Sequence, residues 1–273
     1  MKKKRFTARV FCLMLLGAAV GCTSQPATTE GPATAAPPTP APPSAPAAIH
    51  WTYRGEEGPE HWGTLAKDFA LCSIGTKQSP IDIARPSPKD LSNIVFHYQP
   101  SRTAIVNNGH TIQVSYDAGN SIEVDGARYE LVQFHFHAPS EHTIDGKPAD
   151  AEVHLVHQSA TGQLAVVGVL IDKGGENAAL KPVLDKLPAH EGPAQPIDAA
   201  INTEELLPMQ RTTFRYEGSL TTPPCTEGVT WLVMTQPIHM SANQLGALAD
   251  LLHGNNRPVQ PLNQRSVVQD RSK

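Results

Sequence analysis

The sequence lacks several features that mark common classes of protein. It contains no internal repeat, no heptad pattern and no glycine-rich phosphate loop. Basic residues are also scarce. The chain has 22 basic and 26 acidic residues, and five of the basic ones fall within the first nine positions, which leaves 17 against 26 in the rest. Because a nucleic-acid partner requires many cations to neutralise phosphates, this excess of negative charge argues against nucleic-acid binding.

Cysteine is scarce as well, with four in the whole chain. Cys12 and Cys22 lie near the start, so Cys72 and Cys225 are the two that remain in the body of the protein. An oxidising, exported compartment would allow these two to form a disulfide, and the alternative is a pair of free buried thiols.

The N-terminus has the pattern of a secretion signal. Five cations in the first nine residues precede an apolar run from Val10 to Val20. That run is shorter than the roughly 20 residues that span a bilayer with ease. The segment Ala19-Val20-Gly21-Cys22 resembles a bacterial lipobox, although Leu is commoner than Ala at the first of these positions. The resemblance implies cleavage before Cys22 and lipidation of that cysteine, and an ordinary signal peptide cleaved nearby is the alternative.

Large apolar side chains are absent from residues 23–48, which are almost wholly Pro, Ala, Thr, Ser, Gly and Gln. Such a segment cannot bury enough surface to fold, so we expect a disordered, semi-extended tether. The predicted organisation is a signal peptide at 1–21, a lipidated cysteine and tether at 22–48, and one globular domain at 49–273. The domain would then lie in the periplasm or at the cell surface, in contact with a membrane only through the lipid on Cys22.

Alternating apolar and polar residues dominate the domain. Period-two stretches at Thr111–Tyr116, Ser121–Val124 and Gln163–Ile171 predict strands separated by turn residues. Helical spacing is convincing at Asn177–Leu187 and at Ser241–Leu252, where Ser241 is a suitable N-cap. The fold class is therefore predicted to be mainly β (α+β), with a central, mostly antiparallel sheet and short peripheral helices.

Two histidines alternate with aromatic residues in Gln133-Phe134-His135-Phe136-His137. If this segment is a strand, Gln133, His135 and His137 share one face and both phenylalanines face the core. A following strand would place Glu152, His154 and Val156 on one face. Pairing of the two strands in a hairpin would bring three imidazoles together, which is the ligand set of a catalytic zinc site with an open fourth position.

Gln133 and Glu152 each precede a histidine by two residues on the same strand face. A metal-bound imidazole usually donates its other N–H to an oxygen that fixes the ring, and these two side chains suit that task. A single histidine on a strand is more often a hydrogen-bonded core residue. Three in this arrangement favour a metal site.

Eight segments in order make the domain resemble the alpha-class carbonic anhydrases. They are Gly58–Trp62, Gln78–Ile81, Asn107–His110, Gln133–His137, Ser140–His142, Ala151–His157, Gly218–Pro224 and Asn256–Pro261. The resemblance implies a twisted sheet with zinc at the foot of a conical cavity. It also implies reversible hydration of carbon dioxide to bicarbonate and a proton by hydroxide bound to zinc, with inhibition by sulfonamides and anions.

The resemblance also assigns roles to individual residues of this chain. His135, His137 and His154 match the zinc ligands, Thr221 and Glu141 match the pair that orients the nucleophile, and His110 matches the proton shuttle. A solvated turn histidine is the alternative for His110. The remaining matches are Val156, Val166, Leu220, Thr222 and Trp231 in the substrate pocket, and Tyr53, Asn108 and Gln113 in a water network.

The same family resemblance bears on the covalent framework. It implies a disulfide between Cys72 and Cys225, and cis peptide bonds at Ser79-Pro80 and Pro223-Pro224. Three alternatives to the predicted function remain. They are a binding protein of the same fold without catalysis, a zinc esterase and a surface adhesin.

Overall fold

A computed structural model describes residues 49–271. The predicted signal peptide, the tether and Cys22 lie outside this range and stay predictions. Within the range, no helix has the length and apolar character needed to cross a membrane.

Strands make up most of the regular structure between residues 49 and 271. In chain order they are β1 (Asp82–Ile83), β2 (Ser87–Lys89), β3 (Val95–His97), β4 (Ser101–Asn107), β5 (Ile112–Tyr116), β6 (Ser121–Val124), β7 (Ala127–His137), β8 (Thr143–Ile144), β9 (Lys147–Pro148), β10 (Ala151–Ser159), β11 (Leu164–Lys173), β12 (Gln195–Ile201), β13 (Thr213–Ser219), β14 (Glu227–Met234), β15 (Ile238–Met240) and β16 (Val268–Asp270).

Helices in the same part of the chain are short. The α-helices are α1 (Trp62–Leu65), α2 (Leu71–Ile74), α3 (Lys181–Leu184) and α4 (Ala242–Leu252), and 3-10 turns lie at Gly55–Glu57, Lys67–Phe69 and Thr203–Leu206. The prediction of a mainly β fold with a few short helices is therefore confirmed.

One large sheet organises the domain. Its strand order is β12-β4-β5-β7-β10-β11-β14-β13-β16-β2, with β6 paired to β7, β3 to β6 and β15 to β11. Most neighbours are antiparallel, whereas β11 runs parallel to β14 and β15, and β16 runs parallel to β2. Strands β1, β8 and β9 form a small separate sheet.

Apolar side chains cover both faces of the large sheet. Along β14, Leu232 and Met234 belong to the larger core cluster, which also contains Phe134 and Phe136. The alternate residues Trp231 and Val233 belong to a second, smaller cluster. Because side chains alternate along a strand, these two clusters lie on opposite faces of the sheet.

The structure confirms one predicted helix and shortens the other. Ser241 caps α4 as predicted, because its side chain accepts from the Gln244 main-chain N–H while the Gln244 side chain accepts from the Ser241 N–H. The prediction of a helix across Asn177–Leu187 is wrong in extent, since α3 covers four residues. Pro182 stands in the first turn of α3, where a missing N–H is tolerated, and it prevents the helix from extending upstream.

The covalent predictions are borne out. Cys72 and Cys225 form a disulfide. Ser79-Pro80 and Pro223-Pro224 are cis, and a third cis bond at Ala138-Pro139 was not predicted.

Candidate metal centre and active-site cavity

Strands β7 and β10 pair as the predicted hairpin and bring three imidazoles together. His135 lies directly opposite His154, and Glu152 lies opposite His137. The ring centroids of the three histidines are 4.6–5.2 Å apart. We call this set the three-histidine group.

Two members of the group have the oxygen partners that the sequence predicted. His135 Nδ1 lies 2.9 Å from Gln133 Oε1, and His154 Nε2 lies 2.9 Å from Glu152 Oε1. In each case the partner is two residues earlier on the same strand, so the regular pleat provides the contact. The free nitrogens are therefore Nε2 of His135 and Nδ1 of His154.

The third member has a partner that sequence reasoning missed. His137 Nδ1 donates to the main-chain carbonyl oxygen of Asn255, 2.7 Å away. His137 Nε2 is buried and has no hydrogen-bond partner within residues 49–271. A buried, unpaired nitrogen costs free energy unless a ligand satisfies it.

The free atoms of the group could hold a metal ion. One nitrogen from each of His135, His137 and His154 lies within 4.8 Å of the other two. Burial lowers the pKa of all three imidazoles, that of His137 to about 4, so each is neutral at physiological pH. Neutral imidazole is the form that ligates metal, and three such ligands leave a fourth position open.

A second cluster, formed by His142, Glu152 and His154, is close enough for a metal but is already hydrogen-bonded. Glu152 Oε2 accepts from the main-chain N–H groups of Glu141 and His142, at 3.0 and 2.9 Å. Its Oε1 lies 2.8 Å from His142 Nδ1, while His142 Nε2 lies 2.7 Å from the Tyr216 hydroxyl. Burial alone would raise the pKa of Glu152, but these histidines outweigh it and hold that pKa well below its usual range.

Glu141 is buried beside the three-histidine group. Its Oε2 lies 3.6 Å from His137 Nε2, and its Oε1 accepts from the Arg257 main-chain N–H at 2.9 Å. Burial raises the pKa of Glu141 to about 7, against the opposing effects of His154, Arg257 and Thr221. Thr221 is thus near enough to act on the Glu141 carboxyl group, and the hydrogen bond between the two stays a prediction.

The residues predicted to line the polar side meet in one cavity of about 130 Å³. Its walls are Trp51, Tyr53, Asn108, His110, Thr111, Gln113, Gln133, His135, His137 and Thr222. Tyr53, Asn108, Gln113 and His110 therefore lie beside two members of the three-histidine group. Thr222, which the resemblance assigned to the substrate pocket, lines this same cavity.

His110 is held against an aromatic ring that sequence reasoning missed. Its imidazole stacks on the Trp51 indole with the ring centroids 3.7 Å apart and the planes 6° from parallel. The His110 side chain is partly buried in this arrangement, and its role as a proton shuttle stays a prediction.

An apolar cluster also contacts the group. Val166 and Trp231 belong to one buried cluster, and Val156 and Leu220 pack against it. The Trp231 ring meets that of His154 edge-on, 4.9 Å between centroids. These four predicted pocket residues are therefore contiguous and adjoin a candidate metal ligand.

Sequence reasoning also missed the buried arginine that contacts the disulfide-bonded segment. Arg257 is buried, and its guanidinium donates to the main-chain oxygens of Cys72 and Ser79, at 3.0 and 2.7 Å, and to Gln78 Oε1, at 2.9 Å. Arg257 falls within a segment that matched the family pattern, yet no local pattern reveals its partners.

A family model described as eukaryotic-type carbonic anhydrase matches residues 57–271. The chain belongs to the alpha-class carbonic anhydrase family. As a member of that family it is an enzyme with carbonic anhydrase activity. The predicted family and the predicted activity are both confirmed.

Similar proteins and similar solved structures are also carbonic anhydrases. A carbonic anhydrase of Nostoc sp. is 45% identical over 227 residues, which cover 81% of this chain and 86% of that protein. The alpha-carbonic anhydrase of Thermovibrio ammonificans, solved in complex with the inhibitor sulfanilamide, has a TM-score of 0.79 at 45% identity and covers 81% of this chain and 99% of its own. A hyperthermostable carbonic anhydrase from an active hydrothermal vent chimney has a TM-score of 0.79 at 47% identity, with coverage of 81% and 100%.

Proposed function

We propose that this enzyme binds Zn²⁺ through Nε2 of His135, Nε2 of His137 and Nδ1 of His154, and hydrates carbon dioxide there. One observation carries the proposal. Each imidazole has one nitrogen 2.7–2.9 Å from an oxygen of the protein, and one nitrogen from each of the three rings lies within 4.8 Å of the other two. Zinc with three imidazole ligands, of which carbonic anhydrase is the standard example, supplies a nucleophile near neutral pH by acidifying water.

Thr221 and Glu141 would orient that nucleophile. The Glu141 carboxylate accepts from the Arg257 N–H, and its other oxygen would accept from the Thr221 hydroxyl, which acts on the pKa of Glu141. A hydroxyl whose proton is already committed can only accept from the nucleophile, so the nucleophile's lone pair is directed away from Thr221. Such orientation favours attack on a carbon held nearby.

The apolar cluster of Val156, Val166, Leu220 and Trp231 would hold carbon dioxide. These side chains pack together in one apolar cluster, and Trp231 contacts His154. A small, uncharged substrate gains from an apolar surface, whereas bicarbonate does not, so the product would be exchanged for water.

His110 would carry the released proton outward. It lines the inner cavity together with His135 and His137, and it also lines an outer cavity of about 440 Å³ with Arg54 and His253. An imidazole at the boundary between the two can accept a proton on the inner side and release it to buffer on the outer side.

Zinc content and carbon dioxide hydration test this proposal together. We expect one zinc per chain, hydration activity that sulfonamides and anions inhibit, and loss of both zinc and activity in His137→Ala. The control His97→Ala removes an exposed histidine from β3 and should leave both unchanged. Zinc-loaded protein that does not hydrate carbon dioxide would contradict the proposal and favour a binding protein, whereas activity confined to esters would favour the esterase alternative.

We propose further that the enzyme is exported and anchored by a lipid on Cys22. Support comes from the lipobox-like residues Ala19–Cys22 and the preceding basic and apolar segment. Labelled palmitate should enter the wild-type chain and Cys12→Ala but not Cys22→Ala. Equal labelling of Cys12→Ala and Cys22→Ala would contradict the proposed lipid anchor on Cys22.

A further inference from the structure

A loop that follows α3 is fastened to the turn that presents His110. At the end of β4, the Asn107 main-chain oxygen accepts from the Gly192 N–H at 3.2 Å. The Asn107 side chain donates to the Pro188 carbonyl oxygen at 3.3 Å and accepts from the Gly109 N–H at 3.0 Å. One asparagine therefore ties both ends of the 188–192 loop to the turn before His110.

This fastening brings the Glu191 carboxylate against Gly109. A β-carbon added to Gly109 would lie 3.1 Å from Glu191 Oε2, and the φ of Gly109 is +85°. The turn therefore needs glycine for its backbone conformation, and the Glu191 carboxylate lies next to it. Glu191 consequently places a negative charge beside the residue that precedes His110.

Several charged groups act on the His110 imidazole. Burial lowers the pKa of His110, Glu191 raises it, and His50 lowers it. His50 itself lies 2.9 Å from Glu57. Tyr53, Arg54 and His253, which line the outer cavity, and His135 and His137, which line the inner one, are the other titratable groups around His110. Within this set, Glu191 is the principal group that opposes the effect of burial.

We propose that Glu191 is a positioning residue for proton transfer, whose carboxylate stabilises the protonated form of His110 where that ring stacks on Trp51. The inference rests on the proposed role of His110. A proton carrier works best when its protonated and neutral forms are both populated at the working pH. Burial disfavours the protonated form, and the adjacent carboxylate offsets that cost.

An NMR titration of the His110 ring tests the electrostatic part without any activity measurement. In Glu191→Gln the pKa of His110 should fall by about 0.5, because an exposed neighbouring charge acts through a high dielectric. The difference should shrink in about 1 M salt, where exposed charges are screened. Glu191→Asp should retain part of the effect. Glu205→Gln, which removes an exposed glutamate that does not act on His110, is the matched control.

Kinetics test the functional part. In weak buffer, kcat of Glu191→Gln should fall by about twofold while kcat/KM stays unchanged, because kcat contains the proton-transfer step and kcat/KM does not. An unchanged pKa of His110 in Glu191→Gln would overturn the inference, as would a kcat equal to that of the wild type. If kcat of His110→Ala in weak buffer equals that of the wild type, the proposed shuttle is refuted instead. The NMR titration would still decide whether Glu191 acts on His110.

Discussion

His137 donates from Nδ1 to the main-chain oxygen of Asn255, 2.7 Å away, although 118 residues separate the two in sequence. The Asn255 side chain holds this carbonyl in place. Its amide nitrogen donates to the carbonyl oxygens of His110 and Phe136, at 3.0 and 2.9 Å, and its oxygen accepts from the Ala138 N–H at 3.1 Å. Asn255 thus fixes one candidate ligand and the turn of the proposed proton carrier together.

Replacement of Asn255 should weaken zinc binding without removing a ligand. In Asn255→Ala the carbonyl remains, but three main-chain groups lose their partner and the ring of His137 is less firmly oriented. We expect zinc affinity to fall by about tenfold, the lower end of the usual effect of removing an orienting residue, as measured by competition with a chelator. The neighbouring, partly buried Asn256→Ala is the control. Equal zinc affinities for the two variants would show that Asn255 does not orient His137.

Gly168 on β11 leaves room for the carboxylate that holds His154. Gly168 pairs with His154 across the strands, and a β-carbon at Gly168 would lie 2.9 Å from Glu152 Oε1. Gly168→Ala should therefore displace Glu152, lower zinc affinity, and reduce the free energy of unfolding by about 1–3 kcal/mol. Chelator competition and chemical denaturation measure the two effects.

Gly246 provides the matched control for that substitution. It lies within α4, and a β-carbon there would meet nothing within 4 Å. Gly246→Ala should leave zinc affinity unchanged and raise the free energy of unfolding by about 0.5–1 kcal/mol, the helix-propensity difference. If Gly168→Ala also left zinc affinity unchanged and did not lower the free energy of unfolding, the position of Glu152 would not depend on a glycine at position 168.

Alternation along a strand explains which parts of the site could be predicted. Gln133 and Glu152 are found because each is two residues from its histidine, so a local pattern contains the contact. Asn255 and Trp51 reach their partners, His137 and His110, only after the chain has folded. No periodicity records such contacts, and only the family resemblance points to those parts of the chain.

The strand pairings likewise fall into those that the sequence predicts and those that it does not. The antiparallel neighbours β7, β10 and β11 are close in sequence, with only the two-residue strands β8 and β9 between β7 and β10, so alternation and turn residues predict their pairing. The parallel pairing of β11 with β14 joins segments separated by several other elements, and it depends on packing of the whole domain. The predicted helix at Asn177–Leu187 is shorter because helical spacing carries no information about where Pro182 forces the helix to begin.

Reduction of the disulfide should cost stability more than activity. Cys72 and Cys225 are 153 residues apart, and closure of so long a loop restricts the unfolded chain. We expect a reductant to lower the free energy of unfolding by about 3 kcal/mol in chemical denaturation. The carbonyl groups of the same two residues are also linked through Gln78 and Arg257, so zinc content and kcat/KM should be retained.

A double variant, Cys72→Ser with Cys225→Ser, controls for other effects of the reductant. Its stability should match that of the reduced wild type and should not respond to reductant. Loss of zinc on reduction would instead place the disulfide among the determinants of the metal site.

His157 should contribute to the loss of stability in acid. Its ring is fully buried, with Nε2 2.7 Å from the Tyr98 hydroxyl and Nδ1 3.3 Å from the Ala165 carbonyl oxygen. Burial lowers the pKa of His157 from 6.5 to about 3. Between these values the unfolded chain binds a proton that the folded chain does not, so stability falls as pH decreases from about 6.5 toward 3. One such group changes the free energy of unfolding by about 1.4 kcal/mol per pH unit.

The substitution His157→Gln isolates this contribution. Denaturation of the metal-free protein at several pH values between 6 and 4 should give a pH slope smaller than that of the wild type by about 1.4 kcal/mol per unit. The variant should also be less stable at pH 7, because the contacts with Tyr98 and Ala165 are disturbed, but that loss does not depend on pH. Histidines of the three-histidine group titrate in both proteins and cancel in the difference. His97→Gln, at an exposed position, should keep the wild-type slope, and an equal slope in His157→Gln would mean that His157 is protonated in the folded enzyme.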